Sequence, residues 1–183
     1  MKDGLIISVL SILPKKPIAR FMGFSARLKL PTFAHKLLVR YFVWRYEINL
    51  EECKGEIEDF SSLSEFFIRE LKEGRREIDS DPTKVVSPVD GCVHTFGTID
   101  NGRFTQYDQQ SGSVAEMLGL PETEDIVRRF QHGEFVIIYL SPQDYHRVHS
   151  HDDGVINNLS YFPGKLWPVF PAATQSIPHL FDR

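Results

Sequence analysis

Apolar and polar positions alternate along this chain with three different periods. In the first 46 residues the apolar positions crowd together: GLIISVLSIL (4–13) is a run of about ten residues that ends at Pro14, well short of the roughly 18 to 20 needed to span a bilayer. After Pro31, Leu37, Leu38, Tyr41, Phe42 and Trp44 recur at helical spacing with Lys36, Arg40 and Arg45 between them, which predicts a helix suited to an anionic lipid surface. A second helical period opens at Ser62, where Glu65 three positions on makes a capping box. It predicts a helix through LSEFFIRELKEG with Leu63, Phe66, Phe67 and Leu71 on its apolar face and Gly74 beyond its end.

From Lys84 the period shortens to that of strands. KVVSPVDGCVHTFGTI holds short Val, Phe and Ile runs broken by Pro88 and by Asp90-Gly91, which predicts a hairpin. Ser113 with Glu116 predicts a short helix, SVAEMLGL, closed by Gly119 and Pro121. EFVIIYLSP, Glu134 to Pro142, is the most strand-like run, and GVINNLSYFPG, Gly154 to Gly164, is a further candidate. The expected fold class is α+β, with N-terminal amphipathic helices followed by a mainly antiparallel β domain that is incomplete at its C-terminus. Its divisions are a helical membrane-associating arm (1–46), a helical connector (47–83) and a β-rich portion (84–183).

Charge sharpens that division. Residues 1–46 carry nine Lys or Arg and one acid, a net +8, whereas the rest carries 12 basic and 24 acidic residues, a net −12. A basic apolar arm on an acidic body suits a membrane surface, although a helical hairpin packed on the body has the same composition. The two cysteines, Cys53 and Cys92, form no CxxC pair, so neither a disulfide framework nor a cysteine zinc site is expected, and a reducing compartment fits.

The candidate chemistry lies in YHRVHSHDDG, Tyr145 to Gly154, directly after the strongest strand. His146 and His149 with His151, Asp152 or Asp153 have the residue types of a zinc clamp, but residues three apart on a strand face opposite ways and no HExxH is present. Polar loop residues after a core strand are the plain structural alternative. The third reading pairs a histidine with the carboxylate of SPVDG, Asp90, since a carboxylate that orients an imidazole makes a general base.

SPVDG, YLSPQDYHRVH and YFPGKLW, with LSEFFIRELKEGRREIDSDP ahead of them, resemble the bacterial phosphatidylserine decarboxylase proenzymes, in the family's order and over essentially the whole chain. The resemblance implies a pyruvoyl enzyme that converts phosphatidylserine to phosphatidylethanolamine and carbon dioxide. Its cofactor, a covalent pyruvoyl group, forms from a serine during self-cleavage of the proenzyme. Residue by residue it implies that Asp90 and His149 serve self-cleavage and that His146 serves decarboxylation, with no metal ligand among them. The family's cleavage serine follows the histidines in a Gly-Ser-Thr type motif, whereas the only Gly-Ser pair here, Gly112-Ser113, precedes them. The chain is therefore expected to be the N-terminal part of a proenzyme, inactive alone. The partners implied are the phospholipid membrane, phosphatidylserine and the family's C-terminal segment, with a homodimer left open and no nucleic acid. The location implied is the cytoplasmic face of a bacterial cell membrane, held peripherally. A non-catalytic membrane-binding remnant of the family and a zinc hydrolase are the alternatives.

Overall fold

The computed structural model describes residues 13–105 and 111–162. The described residues form two compact units, one of Phe21–Cys92 with Tyr139–Asn158, the other of those described within Met1–Arg20, Val93–Ile138 and Leu159–Arg183. Helices dominate the first and short strands the second, an α+β protein.

Helix α1 (Lys15–Arg27) buries none of its residues. Helix α2 (Thr32–Tyr46) starts after Pro31, whose missing N–H costs nothing at a helix start. It ends where Glu47 takes the left-handed conformation (φ 55°) and the Ile48 N–H returns to the Val43 carbonyl at 3.1 Å. One face of α2 is core. Val39 packs with Ile48 and Phe66, and Phe42, Val43 and Tyr46 lie against the same cluster. The other face is apolar too, yet Phe33 (77% exposed), Leu37 (71%), Tyr41 (56%) and Trp44 (73%) stand in solvent. The predicted helix is present, but Phe42 belongs to the inward face. A 2.7 Å Lys36–Glu58 ion pair ties α2 to the 3₁₀ turn Ile57–Asp59. No helix among the described residues is long and apolar enough to cross a membrane.

Helix α3 begins as its capping box predicts, with the Ser62 hydroxyl accepting the Glu65 N–H at 3.2 Å, but it runs only Leu63–Phe67. The expected continuation to Gly74 gives way to an extended segment. Leu71 bridges Cys53 antiparallel, the Lys54 N–H reaches the Glu70 carbonyl (2.8 Å) and the Lys72 N–H reaches the Glu52 carbonyl (2.9 Å). Those backbone groups cannot serve a helix and a bridge at once. Gly74 still marks a turn, at φ 75°.

In the second unit, β1 (Cys92–Thr98) pairs with β4 (Glu134–Tyr139). The Ile99 N–H meets the Gly133 carbonyl at 2.8 Å, so the end of β1 lies at the start of β4 and the two run antiparallel. A second sheet joins β2 (Arg103–Thr105) to β3 (Ser111–Ser113), with Phe104 opposite Gly112. Ile99, Phe104, Val114, Ala115 and Val127 form the core, from these strands, α4 (Val114–Leu118) and α5 (Asp125–Arg129). Gly119 closes α4 in the left-handed conformation (φ 63°), and the Phe162 ring occupies the space a Cβ there would need.

Two strand expectations fail. Asp90-Gly91 makes a corner and no hairpin, because β1 takes its partner from the strongly apolar β4, while the upstream stretch offers Pro88, which has no N–H to give. Residues 154–162 of the other candidate strand are irregular, with no partner strand among the described residues. Pro163 and Gly164 lie outside the described residues.

Candidate active site

The site belongs to the first unit and is built by two segments, 67–90 and 141–149. Pro142 starts a tight turn: the Asp144 N–H reaches the Ser141 carbonyl (2.9 Å), and the Asp144 carboxylate accepts both the Ser141 N–H (2.6 Å) and hydroxyl (2.9 Å). The turn presents Tyr145 and His146. His146 Nε2 lies 3.0 Å from the Ser141 carbonyl, and its ring stacks on Phe67 with centroids 3.9 Å apart and planes at 24°. A carbonyl can only accept, so Nε2 carries the proton and Nδ1 keeps the lone pair in the neutral ring. Burial pushes the imidazole below its ordinary value, and the nearby Arg69 charge adds to that.

His149 stands exposed on the same loop. Its backbone N–H donates to the Pro88 carbonyl (2.8 Å), which docks the loop on SPVDG, and Nε2 lies 3.0 Å from the Tyr145 hydroxyl under stacked rings. Asp90 is gripped from the other side. Arg76 gives it a two-pronged ion pair, Nε to Oδ1 at 2.8 Å and Nη2 to Oδ2 at 2.6 Å, and Nη2 also meets Glu52 at 3.0 Å. The Arg76 guanidinium holds the Asp90 carboxyl below the usual carboxylate range, with the Tyr145 backbone amide adding to it; Arg76 is itself raised by these partners.

The sequence pairs Asp90 with His149 directly. In the structure that hydrogen bond is not formed: the carboxylate goes to Arg76 and the imidazole to Tyr145. Both line one cavity of about 690 Å³, with Tyr145, Leu71, Ile78 and Pro88 among its walls. Tyr145 lines the same cavity and holds the His149 ring on its hydroxyl. His146 and His149 direct Nε2 to different acceptors, and no cluster of three metal-ligating side chains occurs among the described residues. Four contributors went unread in the sequence: Phe67, Arg69, Arg76 and Tyr145. Tyr145 sits inside the quoted motif, whereas Arg76 lies in a stretch whose composition reads only as a polar connection.

Because the folded Asp90 carboxyl titrates below its unfolded value, the ion pair contributes stability above an unfolded value of about 3.9 and loses it as pH falls through the folded value. Arg76→Met should move the Asp90 titration upward. Carboxylate carbon NMR reads this, and an unmoved midpoint would show that Arg76 does not set it.

The site holds two histidines in separate environments, one half-buried on Phe67 and one exposed on Tyr145. The sequence model of the phosphatidylserine decarboxylase family matches residues 63–183. The chain is 36% identical over 181 residues to the phosphatidylserine decarboxylase proenzyme of Myxococcus xanthus, covering 99% of this chain and 64% of that one. The proenzymes of Hahella chejuensis (38% over 184 residues; 99% and 60%) and Pseudomonas aeruginosa (35% over 183; 100% and 62%) are similar to it in the same way. This chain belongs to the phosphatidylserine decarboxylase family, and it spans between 60% and 64% of the length of these curated relatives.

Proposed function

We propose that this chain supplies the acid–base part of a phosphatidylserine decarboxylase that matures by self-cleavage. The observation that carries the reading is the meeting of Asp90 and His149, 59 positions apart in sequence, at one cavity, with the His149 ring held on the Tyr145 hydroxyl. In self-cleavage His149 takes the proton of an incoming serine hydroxyl as its oxygen attacks the preceding peptide carbonyl. Tyr145 orients the ring meanwhile, and Asp90 stands with it at the same cavity. That serine is supplied from outside these 183 residues. Ser113 is buried ahead of α4 in the other unit, at the N-cap position, but its side chain makes no cap hydrogen bond, so the helix predicted there forms without the expected capping box.

The cavity's mixed character, with apolar walls beside an ionised carboxylate and an imidazole, fits a pyruvoyl group formed there. When present, such a group supplies the electron sink for loss of carbon dioxide. His146 does not line that cavity, and its part follows from the family resemblance: at Nδ1, the nitrogen that Ser141 does not engage, it takes a proton from the head-group ammonium and returns one to the carbon that loses carbon dioxide. Its lowered pKa keeps it neutral and able to accept at pH 7.

A diacyl substrate stays in its bilayer, so the enzyme works at the surface. Phe33, Leu37, Tyr41 and Trp44 on α2, flanked by Arg40 and Arg45, are the face that seats it peripherally on the cytoplasmic leaflet. The test joins this chain to the C-terminal segment of a relative and measures carbon dioxide release from phosphatidylserine vesicles. Release, lost in His146→Ala after normal cleavage, is the expected result. A cleaved protein that releases none refutes the reading.

A further inference from the structure

Arg69 is a buried cation with more donors than partners. The residue is 4% exposed, and its guanidinium carbon lies 5.4 Å from the centre of the Phe66 ring. Nη2 donates to the Gln143 carbonyl (2.9 Å) and the Asp144 carbonyl (3.2 Å), while Nε and Nη1 are buried without any hydrogen-bond partner. An arginine keeps its charge when buried, so the fold carries a desolvated cation and two unsatisfied donor nitrogens. A methionine of similar length would fill the space without that cost. What Arg69 holds explains why the cost is borne.

The two carbonyls stand immediately before Tyr145 and His146. Arg147, just after His146, reaches the opposite way, with Nε on the Ile68 carbonyl (2.8 Å) and Nη1 on Glu70 (3.0 Å). The two arginines thus clasp segment 67–70 to the loop on either side of His146, and Phe67, from the same segment, stacks on its ring. We infer that Arg69 is a positioning residue, which fixes the Gln143-Asp144 backbone so that the His146 ring lies on Phe67 with Nε2 on Ser141 and Nδ1 left for chemistry. The inference rests on the role proposed for His146, but its test does not use activity.

Arg69→Met and Arg69→Lys are made in the 183-residue chain, and the His146 ring is followed by proton–nitrogen NMR through a pH titration. Stacking on Phe67 displaces its ring protons upfield. In Arg69→Met that displacement should be lost and the titration midpoint should rise, because the charge that repels the imidazolium is gone and Asp144 remains. The thermal midpoint should stay level or rise. In Arg69→Lys the charge persists but the fork does not, so the displacement should shrink while the midpoint stays low. A merely structural arginine would lower the thermal midpoint and leave the His146 spectrum as it was; that result overturns the inference. Should Arg69→Met not fold, Arg69→Lys decides by the same displacement. Absence of carbon dioxide release by the joined protein would refute the proposed function and leave these spectra unaffected, and the converse holds as well.

Discussion

Self-cleavage of the proenzyme that carries this chain is expected to fall by about 10²- to 10⁴-fold when His149 becomes alanine, the range that a positioned general base supplies. Fold damage does not account for such a loss. The His149 side chain is exposed, and the contact that docks the loop comes from its backbone N–H on the Pro88 carbonyl, which alanine retains. Only the ring on Tyr145 is lost. Tyr145→Phe keeps the ring stack and removes one neutral hydrogen bond worth about 1 kcal/mol, so cleavage should slow about fivefold. Asp90→Asn should fall between the two, since it leaves Arg76 with Glu52 as its one remaining carboxylate and loosens the cavity wall that Asp90 forms. A denaturing gel that separates intact from cleaved chain measures all three. Full cleavage in His149→Ala would end the assignment of His149 as base.

Membrane binding should weaken by about 10²-fold or more when Leu37 and Trp44 are both changed to aspartate. Each fully buried side chain of this kind is worth about 1.5–3 kcal/mol, and the acidic replacements add repulsion from anionic lipid. Both residues point away from the cluster of Val39, Ile48 and Phe66, so the double variant should fold as the parent does. Arg40→Gln and Arg45→Gln should each cost about 1 kcal/mol of binding, in a manner that disappears at high salt. Lys36 should matter less, because Glu58 already pairs with it. Co-sedimentation with vesicles containing phosphatidylserine is the measurement. Unchanged binding by the double variant would mean that this face of α2 meets something other than lipid.

Local signals in this chain were legible wherever a short window carries both period and punctuation. The apolar spacing of α2, the Ser62 cap of α3, the run EFVIIY of β4 and the αL glycine after α4 are decided within a few residues, and the structure has each of them. YHRVH drew attention to the right loop for the same reason, since unusual residue types stand close together in one place.

What reached beyond the window was misread or missed. The α3 period continues to Leu71 in the sequence, but the chain leaves the helix at Ile68 because the backbone at 52–54 competes for the groups at 70–72. Asp90-Gly91 has the composition of a hairpin turn, and the choice of β4 as partner for β1 overrode it. Arg76 on Asp90, Arg69 on the 143–144 carbonyls and Phe67 on His146 join positions 14, 74 or 75, and 79 apart. By itself, then, the sequence determined the helix and strand periods, the caps and which residue types could do chemistry, because steric preference and amphipathic spacing act between near neighbours. Only the tertiary structure decided that Arg76 holds Asp90 and Tyr145 holds His149, because ion pairs and ring contacts are selected by which surfaces pack together, and packing free energy depends on the whole unit rather than on any one segment.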